Sequence, residues 1–243
     1  MADRALPAER GGGLLAYLDQ NYASRIAKHL LALPGQEAFG EVWEALLVLG
    51  DRALAPPSPF HALELHGGYL LPAFRRMFDR VSQGFWVRPW PDVVRRQVAR
   101  GGLAREDFLW RRGSWEEPAD LAPLWGLLDL ELEGDFYGRA AAARAWARGR
   151  LGLARSAEAA PFFQLLGRLV AFRSLERSRE ERASDLLDVV MAATVAPYVD
   201  VLATDRYLRE ALVRVGAGVR AWSGRSGEVR ALARWLLKRL DKP

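Results

Sequence analysis

The sequence predicts an α/β fold, with a central parallel sheet and a large helical insertion. Three observations carry this reading. Short apolar runs at 14–18 and 199–203 each end at an acidic turn and are followed by a helical period. Helices separate the candidate strands, and such crossovers join parallel neighbours with right-handed connections. From about 69 to 182 the alternation stops, and the pattern is mainly helical.

Residues 1–13 are polar and glycine-rich, and read as a disordered lead-in. An apolar core there would be needed for a signal peptide. The run Leu-Leu-Ala-Tyr-Leu at 14–18 reads as a buried strand ending at Asp19. Helical periods at 22–33 and 37–49 are divided by Pro34-Gly35. A second strand at 52–55 is stopped by Pro56-Pro57. A helix then opens at Ser58-Pro59, with serine as N-cap and proline at the first helical position. Within the insertion, helices are predicted at 135–150 and 159–182. The alternation resumes with a helix at 185–196 and a strand at 199–203. A helix from Thr204-Asp205 to 215 and a strand at 219–222 follow. The last helix starts at Ser226, with Val229, Leu232, Ala233, Leu236, Leu237 and Leu240 on one face and Arg230, Arg234 and Lys238 opposite. Residues 14–243 thus read as a single domain with an insertion at about 69–182.

Composition narrows the chemistry. At 243 residues and 50% hydrophobic, the chain can bury a sizeable core. With no cysteine, disulfides, zinc-thiolate sites and thiol nucleophiles are excluded, and a reducing, cytoplasmic setting is expected. No run of about eighteen apolar residues exists, so no membrane contact is expected. The net charge is +5, carried almost entirely by arginine, with lysine only at 28, 238 and 242. GC-rich codon usage gives such a bias, and so does a phosphate-binding surface, since guanidinium binds phosphate bidentately. There is no G-x-G-x-x-G after a strand, no G-x-x-x-x-G-K-[ST] and no G-x-S-x-G.

The acids are the informative residues. Asp19 and Asp205 each follow an apolar strand and precede a helix. Each is a candidate N-cap or a candidate ligand. In a parallel sheet both emerge at the carboxyl edge, where open α/β sheets gather their functional side chains. Asp185 and Asp188 lie one helical turn apart. Helix-dipole complementation accounts for one of them better than for two, because they repel. Asp188 heads an otherwise apolar helix and reads as the ligand, with Asp185 behind it. Thr204 and Arg206 flank Asp205, placed either to hold a water or phosphate or simply to shape the turn. Asp200, early in its strand, reads as structural. Glu64 stands between His61 and His66. Five residues apart, these histidines diverge on a helix, so the i, i+4 zinc spacing is not met. Several carboxylates brought to one spot repel each other unless a cation neutralises them, which points to Mg²⁺ or Mn²⁺.

Four stretches together resemble the PIN-domain nuclease family: Tyr17-Leu18-Asp19-Gln20-Asn21, Ser58-Pro-Phe-His61-Ala-Leu-Glu64, Asp188-Val-Val-Met-Ala-Ala-Thr-Val-Ala and Val-Leu-Ala-Thr-Asp205. The resemblance covers about 14–66 and 184–224, and the insertion is a departure from it. It implies a PIN-like three-layer fold and a divalent-metal-dependent nuclease, most of all an endoribonuclease, with DNA as the alternative substrate. Asp19, Glu64, Asp188 and Asp205 would be its metal-binding and catalytic residues, backed by Asp185, Asn21 and Thr204.

Six of the nine tryptophans fall in the insertion, interleaved with arginine. They either stack on unpaired bases or form the insertion's own core. Arg111, Arg112 and Arg206 are the candidate nucleic-acid contacts. Two other classes remain open: a PIN-like module that binds nucleic acid or protein without cutting, and a toxin or defence effector under an inhibitory or activating partner. Completeness of the four acids favours an enzyme. An oligomer is left open.

Overall fold

The computed structural model describes residues 13–65, 68–176 and 184–240, the Glu106 side chain excepted. The lead-in at 1–12, His66 and the predicted helix end at 177–182 lie outside the described residues. No helix among those described is long and apolar enough to cross a membrane.

The chain begins with β1 (Leu14–Leu18), α1 (Gln20–Leu30) and α2 (Glu37–Leu49). β2 (Ala53–Leu54) and α3 (Pro59–Glu64) follow. The insertion contributes α4 (Leu71–Val81), β3 (Trp86–Val87), α5 (Trp90–Arg100), α6 (Arg105–Phe108), β4 (Leu109–Trp110), α7 (Phe136–Arg150) and α8 (Pro161–Leu175). The chain closes with α9 (Asp185–Val195), β5 (Val201–Thr204), α10 (Arg206–Arg214), β6 (Arg220–Ser223) and α11 (Ser226–Leu237).

The sheet runs β2-β1-β5-β6, all parallel, with Leu18 opposite Ala203 and Thr204 opposite Ser223. Successive side chains of a strand point to opposite faces. Leu15, Tyr17, Leu54 and Leu202 therefore share one core, and Leu14, Ala16, Leu18, Val201 and Ala203 share the other. α1, α2, α4 and α11 cover the second face, through residues such as Ile26, Val42, Phe74 and Leu232. The first face meets α5, α8, α9 and α10, through Trp90, Phe162, Val190 and Leu208. This is a three-layer α/β arrangement, and the insertion supplies part of both outer layers.

The insertion is less purely helical than predicted. β3 and β4 form an antiparallel ribbon, with Trp86 opposite Trp110. The ribbon docks on the sheet edge, where the Val87 amide donates to the Pro57 carbonyl at 2.8 Å. Two of the six insertion tryptophans, Trp86 and Trp90, are core residues, and Trp90 donates its indole N–H to the Asp120 carbonyl. Trp125 is 67% exposed.

Asp200 is structural, as its position predicts. Its carboxylate accepts from the Leu15 amide at 2.7 Å and from Arg105 at 2.8 Å, while Arg105 also reaches the Tyr198 and Gly13 carbonyls. This pins the amino ends of β1 and β5 together.

α7 and α8 pack closely because both present small residues. Gly167 lies against Ala140, and a Cβ there would stand 2.5 Å from the Ala140 carbonyl oxygen. Backbone cannot yield as a side-chain tip can. Gly167→Ala is therefore expected to cost about 1–3 kcal/mol. An unchanged urea midpoint would show that the helix pair separates freely.

Candidate functional site

The site is built at the carboxyl edge of β1 and β5. Asp19 follows β1 with extended backbone and caps α1, accepting from the Tyr22 amide through Oδ1 at 2.9 Å. Its Oδ2 accepts a short hydrogen bond from the Thr204 hydroxyl at the end of β5. The side chain is 4% exposed. Burial pushes its pKa up to about 7. The Asp205 carboxylate adds to this, and the Thr204 hydroxyl with the Tyr22 and Asp205 amides pulls against it.

Asp205 caps α10, accepting from the Leu208 amide at 2.7 Å. Both strand-end acids are thus helix caps. Capping uses one oxygen, however, and a carboxylate offers about four lone-pair sites, so cap and ligand are compatible roles.

Glu64 sits on the last turn of α3 and is exposed. The protein packed around its carboxylate, and then Asp19 and Asp188, raise its pKa. Asp188 is half-buried in the first turn of α9. All four predicted acids are therefore within electrostatic reach, as a chain from Asp205 through Asp19 and Glu64 to Asp188.

Position along that chain is controlled by a histidine the sequence reading set aside. His61 is fully buried. Its Nε2 lies 2.7 Å from the Leu18 carbonyl, which can only accept, so Nε2 carries the proton. Nδ1 therefore accepts from the Ser58 amide at 3.0 Å. The Ser58 hydroxyl, in turn, meets the Tyr17 hydroxyl at 2.7 Å. Burial lowers the His61 pKa to about 4, so the ring is neutral at pH 7. It is a strut between the end of β1 and the start of α3, fixing Glu64 relative to Asp19. His61→Phe would keep the ring packing on Tyr17 and Phe78 but leave the Ser58 N–H and Leu18 C=O unpaired. A loss of about 2–4 kcal/mol is expected, read by chemical denaturation.

The supporting residues divide. The Thr204 hydroxyl donates to Asp19. Asn21 is exposed on α1, its carbonyl accepting from Ser24. Asp185 has a partner of its own: its buried carboxylate is ion-paired with Arg173 of α8. Arg173, Asp185 and Asp188 line a pocket of about 10 Å³ with Tyr207, room for a single water.

Of the predicted substrate arginines, Arg206 and Arg112 are exposed. Arg111 is exposed but engaged: it donates to the Gln83 carbonyl at 3.1 Å and lies 3.9 Å over the Phe85 ring. That ties it to the turn before β3.

One further acid belongs to the neighbourhood. Glu228 in the first turn of α11 accepts from the Ser223 amide at 2.8 Å, beside the end of β5. The Tyr22 hydroxyl is buried with no hydrogen-bond partner among the described residues. Burial, Asp19 and Glu228 all push its pKa up. An acid in a helix first turn reads from sequence as dipole complementation, so nothing in the sequence marked Glu228.

No family model, curated protein or solved structure matches the chain.

The donor chemistry is carboxylate oxygen, which suits hard cations such as Mg²⁺ and Mn²⁺. Among the described residues, no group of three or more His, Cys, Asp or Glu side chains is gathered closely enough to enclose an ion. Mg²⁺ is commonly held by one or two carboxylates with water and phosphate oxygen, which needs no enclosed cluster.

Proposed function

We propose that the protein is a PIN-like, divalent-metal-dependent nuclease that hydrolyses phosphodiesters, with RNA the favoured substrate. The observation that carries this reading is the line of mutually destabilising carboxylates at the sheet edge. Burial is the main cause of the raised pKa values of Asp19 and Glu64, and the charged neighbours that add to it are carboxylates. A site that strains its own acids in this way favours a cation.

Asp19 and Asp205 would hold a Mg²⁺ or Mn²⁺ ion, with Glu64 and Asp188 beside it. Such an ion supplies Lewis acidity toward phosphate oxygen and lowers the pKa of water. Thr204 donates to Asp19 and so orients its carboxylate. The His61 strut holds the helix of Glu64 against β1. Glu64, its pKa raised by its surroundings, is placed to accept a proton from an attacking water.

The test is cleavage of labelled single-stranded RNA and DNA in Mg²⁺, Mn²⁺ or EDTA. Cutting of RNA in metal and none in EDTA is the expected result. Binding without cutting under all conditions would replace the nuclease by a nucleic-acid-binding module.

A further inference from the structure

The geometry points to the exposed face formed by α5 and the end of β4 as a docking surface for the phosphodiester backbone of a nucleic acid. This rests on the nuclease reading for its substrate, but concerns a separate part of the molecule.

Five arginines gather there. Arg95, Arg96 and Arg100 project from one side of α5 and border an open trough of about 400 Å³ with Asp92. Arg112 lies exposed just past β4. Arg88 joins the two groups, with its guanidinium 5.5 Å over the Trp110 ring. Burial, then the Arg96 and Arg112 charges, lower the Arg88 pKa, with Asp107 and Asp92 opposing.

Two acids offset part of this charge. Asp107 takes Arg96 at 3.3 Å and also Arg100, and Asp92 takes Arg95 at 3.2 Å. Among the described side chains, five positive groups against two negative ones leave a local surplus, and like charges this close are relieved by an external anion. The acids also hold the guanidiniums in place, which lowers the cost of ordering them on binding. The Trp110 indole N–H is buried with no hydrogen-bond partner among the described residues. A nucleic-acid strand offers what the face needs: regularly spaced anionic oxygens, with bases that stack on guanidinium and indole planes.

The experiment is fluorescence anisotropy of a labelled single-stranded RNA in EDTA across a salt series, where binding is read without cutting. Arg95→Gln with Arg112→Gln leaves the Asp107 network intact. It is expected to weaken binding roughly tenfold at low salt and to reduce the slope of log K against log salt by about 1.4. Arg95→Lys with Arg112→Lys should keep the wild-type slope, and Arg230→Gln with Arg234→Gln on α11 should leave binding unchanged. An unchanged slope in the first glutamine pair at wild-type melting temperature overturns the assignment. So does an equal loss in the α11 pair, or no RNA binding by the wild type. Tight binding in EDTA with no cutting in metal would instead count against the carboxylate site alone.

Discussion

Replacing Asp19 by asparagine is expected to stabilise the protein above pH 7 and to change little near pH 4. In the native state the Asp19 pKa stands near 7, against about 3.9 for an unfolded aspartate. The folded chain therefore binds more protons than the unfolded chain between these values. Stability contributed by this group falls as pH rises through that window. The full difference is about three pH units, or roughly 4 kcal/mol as an upper bound. Asparagine keeps the cap through its carbonyl oxygen and meets the Thr204 hydroxyl through its amide, but it carries no charge to bury.

The difference between variant and wild type is the proper readout, because His61 works in the opposite direction. Its native pKa of about 4 lies below the unfolded value near 6.5, so stability contributed by His61 falls as pH drops through that range. In the wild type His61 offsets part of the Asp19 trend, while Glu64, whose pKa is also raised, adds to it. In paired urea titrations from pH 4 to pH 8, the variant's advantage should grow with pH. A constant difference would show that Asp19 is already ionised in the folded protein at low pH. Added Mn²⁺ at pH 8 should shrink the advantage, since the cation stabilises the wild-type carboxylate and not the amide.

The Asp19→Asn, Asp188→Asn double variant is expected to lose metal-dependent cleavage by at least about 10²–10³-fold while remaining folded. Several kcal/mol of transition-state stabilisation is the usual contribution of a catalytic cation, and these two positions lie at separate points on the chain of coupled acids. RNA cutting that survives in a highly purified double variant would place the chemistry elsewhere. A residual activity in Asp188→Asn alone, with Asp19→Asn inactive, would assign Asp188 to the edge of the site. A Mn²⁺-induced rise in melting temperature, lost in the double variant, gives the same answer without a substrate.

The sheet was legible because its strands are apolar and bounded by abrupt turn chemistry. β1 emerges at Leu14–Leu18, as predicted, and α2 at Glu37–Leu49. The Ser58 cap is also where the sequence placed it. Once β1 and β5 are parallel neighbours, Asp19 and Asp205 must leave the sheet side by side, and topology alone brings them together. What was not legible depends on contacts between distant segments. β3 and β4 have two residues each, too few to show a period. The role of His61 needs a carbonyl from β1 that is distant in sequence. Asp185 pairs with an arginine of the insertion, which the local pattern of α9 does not reveal. The ties of Arg111 to the Gln83 carbonyl and the Phe85 ring join segments that are distant in sequence.

The pairing of β1 with β5 also sets a timetable. Asp19 and its partner Thr204 are 185 residues apart. At about 5–20 residues per second, a ribosome needs roughly 10–40 s to make the intervening chain. Throughout that interval β1 has β2 on one flank and nothing native on the other. Its apolar, hydrogen-bond-hungry edge is a template for wrong partners until β5 emerges. Completion of the sheet must therefore come late, and the nascent chain is most vulnerable to misassembly while the insertion is being made.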